Sequence, residues 1–170
     1  EEFYAAFAMD IVKRIVAARD ESRECVLILP VGPVPQYAIA AKIINDLGID
    51  CSHLVTFNMD EYADENGVTA PAEWEGSFAT AMWANFFGRL DKKLRPKEAN
   101  IHFPNSDNIN DYSQMIKDRG GADCCYGGIG WCGVNEPGFV EQDAASVQPR
   151  RRMRPRMQAA DPVVNGPRGG

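Results

Sequence analysis

The residues best suited to chemistry in this sequence lie in a glycine-rich segment, GGIGWCGVNEPGF, which spans residues 127–139. Glycine lacks the Cβ atom that excludes most positive φ angles, so such a segment can turn sharply and bring its backbone close to another molecule. Gly127, Gly128 and Gly130 open the segment, and Glu136 is its only carboxylate. The composition therefore predicts a backbone that approaches a ligand, with one acidic group beside it.

Two more unusual stretches follow short apolar runs. VGPVP, residues 31–35, contains Gly32, and NMDEY, residues 58–62, contains the acids Asp60 and Glu61. Open parallel sheets bind ligands in the crevice beyond the carboxyl ends of their strands, and all three stretches fall at such ends. NMDEY begins where its strand ends, so its first acid is predicted to point into the crevice. Asp60 is therefore a better candidate for chemistry than Glu61.

The elements that must position these residues alternate between strands and helices. Apolar residues at helical spacing predict helices over residues 1–20, from Tyr37 to Leu47, from Phe78 to Leu90, and around Tyr112 to Ile116. Short apolar runs predict strands at ECVLILP (24–30), CSHLVTFN (51–58), IHFP (101–104) and ADCCYGG (122–128). Gly48 stops the second helix in the position where helices often turn left-handed. The predicted fold is α/β, a doubly wound, Rossmann-like parallel sheet.

Composition divides the 170 residues into two parts. Residues 1–140 read as one domain with one core, whereas residues 141–170 carry six arginines and recurrent prolines without apolar periodicity. That tail, from about Asp143 onward, is predicted to lack a fixed fold because it buries too little apolar surface to offset its ordering entropy. The arginines suggest an arm that binds nucleic acid. The body is acidic, however, and the whole chain has a net charge of −6, so the sequence favours a protein that does not bind nucleic acid.

Other functional classes are disfavoured by what the sequence lacks. No apolar run approaches the roughly 20 residues that a membrane helix needs, and no signal peptide is visible. The five cysteines form no CxxC pair, so neither a disulfide framework nor a zinc site is indicated. We expect a chain of the reducing cytoplasm that needs no metal or redox cofactor and makes no membrane contact, with homo-oligomerisation left open.

The order of three motifs resembles a known family. TFNMDEY, the helix SFATAMWANFFGRLD and then GGIG followed by NEPG occur in this order and are similar to the glucosamine-6-phosphate deaminase (isomerase) family, whose members carry VTFNMDEY, a SFMWNNFF-like helix and GGIGxDGHIAFNEPG. The likeness runs from Val26 to Gly138. Nothing in residues 141–170 resembles the family's continuation, so the sequence looks like a truncated or altered member, with the sheet incomplete at its C-terminal end.

The resemblance implies roles for individual residues. Asp60 would be the base that moves a proton between C1 and C2 of the opened amino sugar. This agrees with the physical chemistry, because a carboxylate partly withdrawn from water binds its proton more tightly and suits proton abstraction beside a carbonyl or imine. Glu136 would assist ring opening. Gly32, Gly127, Gly128 and Gly130 would line the sugar-phosphate site. The implied reaction converts glucosamine 6-phosphate into fructose 6-phosphate and ammonia.

The sequence also departs from the family pattern. Where the family has GxDGHIAFNEP, this chain has GWCGVNEP, so Cys132 replaces the Asp, and no His stands between Gly133 and Val134. The first loop also lacks the hydroxyls of the family's TGSTP, and Pro33 removes a backbone donor. The catalytic activity of this chain is therefore uncertain from sequence. The alternatives are a non-catalytic sugar-phosphate-binding module and, less favoured by NMDEY, a 6-phosphogluconolactonase-like hydrolase.

Overall fold

The computed structural model describes residues 1–32, 34–64, 66–71, 74–127 and a strand at 156–158. Its α-helices are α1 (Glu2–Asp20), α2 (Pro35–Leu47), α3 (Phe78–Asn85) and α4 (Tyr112–Asp118). Its strands are β1 (Cys25–Leu29), β2 (Leu54–Asn58), β3 (Asp60–Tyr62), β4 (Ile101–His102), β5 (Cys124–Cys125) and β6 (Arg156–Gln158). Two 3-10 helices, Phe87–Arg89 and Glu98–Asn100, connect α3 to β4.

Four of the strands form one parallel sheet in the order β4, β2, β1, β5. The chain moves outward from β1 to β2 and β4, and then crosses back to β5 on the other side of β1. The direction of winding therefore reverses between β1 and β5. This reversal is the topological switch point at which doubly wound sheets open a crevice for ligands.

Helices cover both faces of the sheet. On one face, α1, α2 and α3 bury a large core that includes Ile11, Tyr37 and Phe86 together with Leu27 and Leu29 of β1. The alternate β1 residues Val26 and Ile28 face α4 on the other side, in a smaller core. Each β1 side chain is buried because both faces are covered, which is why the strand reads as a continuous apolar run. The predicted doubly wound α/β fold is confirmed.

Two local predictions need correction. The helix predicted from Phe78 to Leu90 is too long, because α3 ends at Asn85 and the chain tightens into a 3-10 turn. Gly88 permits that turn, since a Cβ there would lie 2.4 Å from the Trp83 carbonyl oxygen. The predicted acidic loop also contains a strand, β3, which pairs antiparallel with β6. The strand β3 is only three residues long, which is too short for an alternating apolar pattern to be recognised in the sequence.

The predicted division of the chain into a domain at 1–140 and a tail at 141–170 falls largely on residues outside the described part. Of the tail, only the backbone of β6 is described, with Arg156 in register with Tyr62 and Gln158 in register with Asp60.

Within the described residues, none of the helices combines the length and the apolar character needed to cross a membrane.

Candidate functional site

The candidate crevice lies at the carboxyl ends of β1, β2 and β5. Leu29 is in register with Asn58 at the end of β2, and Ile28 is in register with Cys125 at the end of β5. Because these strands are parallel, the residues that follow them emerge at one edge of the sheet. Gly32, Asp60 and Gly127 follow β1, β2 and β5 respectively, so the structure brings all three to this edge.

Gly32 and Gly127 flank the switch point and have open space beside them. No described heavy atom would lie within 4 Å of a Cβ built on either residue. Neither glycine is therefore required by packing against the described part of the chain. Gly128, Gly130 and Glu136 lie outside the described residues, so their predicted roles stay predictions.

The two acids of NMDEY lie in different environments. Successive side chains of a strand point to opposite sides, and in β3 the exposure alternates accordingly: Asp60 and Tyr62 are half-buried, whereas Glu61 is only 2% exposed. The prediction that favoured Asp60 over Glu61 rested on position alone. The structure adds that the Asp60 carboxylate is partly accessible to water, whereas the Glu61 carboxylate is buried.

Glu61 is the carboxylate that holds the start of α3. Its Oε1 accepts hydrogen bonds from the backbone N–H groups of Tyr62 at 2.9 Å and Phe78 at 2.8 Å. Its Oε2 accepts from the Ser77 hydroxyl and from the Ala79 N–H, both at 2.9 Å. Four N–H groups at a helix start lack partners within the helix, and an anion there also interacts favourably with the helix dipole. Sequence reasoning missed this role, although Ser77 ahead of an apolar helix is a recognisable N-cap signal.

A second group of contacts fixes the ends of β2 and β4. The buried Tyr112 hydroxyl donates to the backbone carbonyls of Asn58 and His102, at 3.0 Å each. Asn58 Nδ2 also donates to the His102 carbonyl at 2.9 Å. Burial raises the pKa of Tyr112, which keeps the hydroxyl protonated and able to donate. The backbone that leads into Asp60 is therefore tied to the neighbouring strand and to α4.

On the other side of the switch point, Tyr126 ties the residue before the glycine-rich segment to α1. Its hydroxyl donates to Asp10 Oδ2 at 2.6 Å and accepts from Arg14 Nε at 3.0 Å, while its ring lies 4.8 Å from that of Phe7. Burial opposes ionisation of Asp10, but hydrogen bonds from Tyr126 and Arg14 prevail and hold the pKa of Asp10 below its ordinary value. Asp10 and Arg14 are both substantially exposed, so this cluster is more accessible to water than Glu61.

The two histidines make structural contacts. His53 donates from Nε2 to the Ile15 carbonyl of α1 at 2.8 Å. The His102 ring stacks on Phe57 with 4.6 Å between centroids, and burial lowers its pKa, with Arg119 adding to the effect. Among the described residues, no group of three or more His, Cys, Asp or Glu side chains is arranged to hold a metal ion.

Comparisons with known proteins agree with the motif order. The chain is 38% identical over 122 residues to a glucosamine-6-phosphate deaminase of Bacteroides fragilis, an alignment covering 66% of this chain and 43% of that protein. It is 34% identical over 148 residues to the glucosamine-6-phosphate deaminase of Caenorhabditis elegans, covering 81% of this chain and 51% of that protein. The chain spans about half the length of the curated relatives it matches. No family model matches it.

Solved structures share the fold. A monomeric glucosamine-6-phosphate deaminase superimposes with a TM-score of 0.59 at 20% identity, covering 71% of this chain and 48% of that one. The 6-phosphogluconolactonase of Thermotoga maritima gives 0.54 at 18% identity, covering 72% and 54%. The class defined by the fold is therefore the Rossmann-like one that these enzymes share. Within it, the sequence relatives show that the chain belongs to the glucosamine-6-phosphate deaminase family.

Proposed function

We propose that this chain forms the sugar-phosphate crevice of a glucosamine-6-phosphate deaminase, with Asp60 as the proton-transferring base. The observation that carries the proposal is the position of Asp60 at the carboxyl edge of the sheet, on the side of β3 opposite the buried Glu61. The edge is shared with Gly32 and Gly127, which border the switch point where such sheets bind ligands. The relatives carry the name of this activity, and this chain contains the NMDEY motif on which its resemblance to the family rests.

The proposed step moves one proton within the open-chain sugar. The Asp60 carboxylate takes the proton from C2 of glucosamine 6-phosphate, and the C2–H electron pair becomes a C1=C2 double bond while the C1 carbonyl oxygen takes a proton from water. Asp60 then returns its proton to C1, which leaves an iminium at C2. Water hydrolyses the iminium to the ketone of fructose 6-phosphate and releases ammonia. The reaction consumes one water and needs no oxidant or reductant.

The glycine-rich segment is proposed to hold the substrate but to open the sugar ring poorly. Gly32, Gly127, Gly128 and Gly130 would let the backbone approach the sugar phosphate, and Glu136 would lie near the ring. Ring opening needs a group that exchanges a proton near neutral pH, for which an imidazole is suited. The sequence GWCGVNEP has no His. We therefore propose that Asp60 acts only on the fraction of sugar that opens spontaneously.

Deuterium incorporation at C1 of fructose 6-phosphate supplied with ammonium in D2O tests this proposal, because the C2 imine then forms in solution and Asp60 exchanges the C1 proton in the reverse direction without net ammonia release. We expect the unmodified chain to incorporate deuterium faster than buffer alone and Asp60→Asn to reduce incorporation to the buffer rate. Asp91→Asn, at an exposed position away from the sheet edge, is the matched control. Equal incorporation by Asp60→Asn and the unmodified chain would exclude Asp60 as the base.

The proposed cellular setting follows from the thiols. Cys25 and Cys51 are buried and unpaired, and burial raises the pKa of each to about 12, so both stay protonated. Unpaired thiols are typical of reducing compartments, and we infer a cytoplasmic chain whose small-molecule partner is a sugar phosphate.

A further inference from the structure

The buried carboxylate next to the proposed base, Glu61, has no part in the proposed chemical step. We propose that Glu61 is a positioning residue: by binding the N-terminus of α3, it holds β3 in place so that Asp60 projects into the crevice. The expected effect of Glu61 on catalysis rests on the proposed function. The attachment of β3 to α3 rests on the contacts of Glu61 alone.

Both carboxylate oxygens of Glu61 are fully used as hydrogen-bond acceptors. Each oxygen accepts two hydrogen bonds. Two of these four bonds come from the Phe78 and Ala79 N–H groups that begin α3. These partners are 17 and 18 residues away in sequence, so the contact joins two separate elements. A carboxylate that accepts several hydrogen bonds at a helix start is held in one orientation.

The hydrogen bonds that fix Glu61 also fix the direction of the Asp60 side chain. The two residues are adjacent in a strand, where fixing one side chain inward fixes its neighbour to the opposite side. Tyr62, the next residue, packs its ring on Phe78 at 4.6 Å and on Trp74 at 5.2 Å. β3 is therefore tied to the start of α3 by the two residues that follow Asp60.

Both oxygens of Glu61 are required as hydrogen-bond acceptors. All four of its partners are N–H or O–H groups, so each oxygen must accept. In Glu61→Gln, an amide NH2 replaces one oxygen and faces donors, which leaves buried groups without acceptors. The replacement keeps the size of the side chain, so its effect reports the hydrogen bonding and not the packing.

The test compares Glu61→Gln with Glu98→Gln, an acid at an exposed position that serves as the matched control. Deuterium incorporation into fructose 6-phosphate gives kcat and KM, and nitrogen relaxation gives the order parameter of the Asp60 amide. For Glu61→Gln we expect kcat to fall about 10- to 100-fold with KM changed by less than about threefold, because misplacement by about 1 Å costs on the order of 100-fold. We expect the order parameter to fall from about 0.85 toward 0.6. The control should change neither quantity.

The order parameter decides the proposal independently of turnover. An unchanged order parameter of Asp60 in a folded Glu61→Gln variant would overturn the positioning role, even if kcat fell. A decrease in that order parameter supports it, even if the unmodified chain shows no Asp60-dependent incorporation, a result that would remove the proposed function alone. If Glu61→Gln does not fold, Ser77→Ala, which removes the hydroxyl that donates to Glu61 and accepts from the Thr80 N–H, is measured by the same two criteria.

Discussion

The two sides of the crevice differ in how they are built. On the β2 side, Asp60 follows a strand end secured by Tyr112 and lies beside Glu61, which is itself buried. On the β5 side, Tyr126 is secured by Asp10 and Arg14, which water reaches. The first side keeps the family motif NMDEY, whereas the second runs into the altered GWCGVNEP. The β2 side therefore keeps the family sequence pattern together with its supporting contacts, whereas the segment that follows the β5 side departs from that pattern.

The largest expected effect concerns ammonia release from glucosamine 6-phosphate. We expect the unmodified chain to stay at or near background, because general acid–base help is worth about 100- to 10,000-fold and the ring-opening His is absent. Inserting His-Ile-Ala after Gly133 should restore release only in part. The same insertion combined with Asp60→Asn is the control and should abolish it. Robust release by the unmodified chain, lost in Asp60→Asn, would show that another group opens the ring.

The next effect tests the buried support on the β2 side. Tyr112→Phe removes the hydroxyl that donates to the Asn58 and His102 carbonyls. We expect the free energy of unfolding to fall by about 1–3 kcal/mol, because a buried acceptor loses its donor. Urea denaturation measures the change. Tyr4→Phe, near the start of α1, is the control, and a Tyr112→Phe loss no larger than the control would contradict the structural role.

The corresponding change on the β5 side should be smaller. Tyr126→Phe removes the hydrogen bond to Asp10, and we expect a loss of at most about 1 kcal/mol because the pair is solvent-accessible. The pKa of Asp10 is lowered from its ordinary 3.8, so the stabilisation is complete above pH 3.8 and is lost as the pH falls through the lower folded-state value. Thermal unfolding at pH 7 and pH 2.5 should show the difference between variants shrinking at acid pH. A loss larger than that of Tyr112→Phe would reverse the comparison.

The smallest effect on stability is expected at the glycines of the crevice. Gly32→Ala and Gly127→Ala should change the free energy of unfolding by no more than about 0.5 kcal/mol, since an added Cβ meets no described atom. Gly48→Ala, at φ 62°, should cost about 1 kcal/mol because a side chain is strained there. Calorimetric titration with glucosamine 6-phosphate should reveal weaker binding for the first two variants. Unchanged binding in both would argue against their place in the sugar-phosphate site.

Much of the fold could be predicted because its signals are local. Apolar spacing gave α1, the continuous apolar run gave β1, and Gly48 was correctly expected to end α2 in the left-handed conformation. The end of α3 could not be predicted, because it depends on how Gly88 approaches the Trp83 carbonyl. The short strand β3 was missed because its pairing partner is far away in sequence.

Some features of the candidate site could likewise be predicted from the sequence, and others could not. The motif order and the strand ends that carry Gly32 and Asp60 follow from the sequence, and the preference for Asp60 over Glu61 as the base stays a prediction from it. The contacts of Glu61 with the start of α3 and of Tyr126 with Asp10, 116 residues away, are visible in the folded structure alone. Periodicity reports which face of an element is buried, but it does not report which polar groups meet there. That choice depends on the packing of separate elements, because a buried donor or acceptor is satisfied by whichever partner the fold brings within about 3 Å.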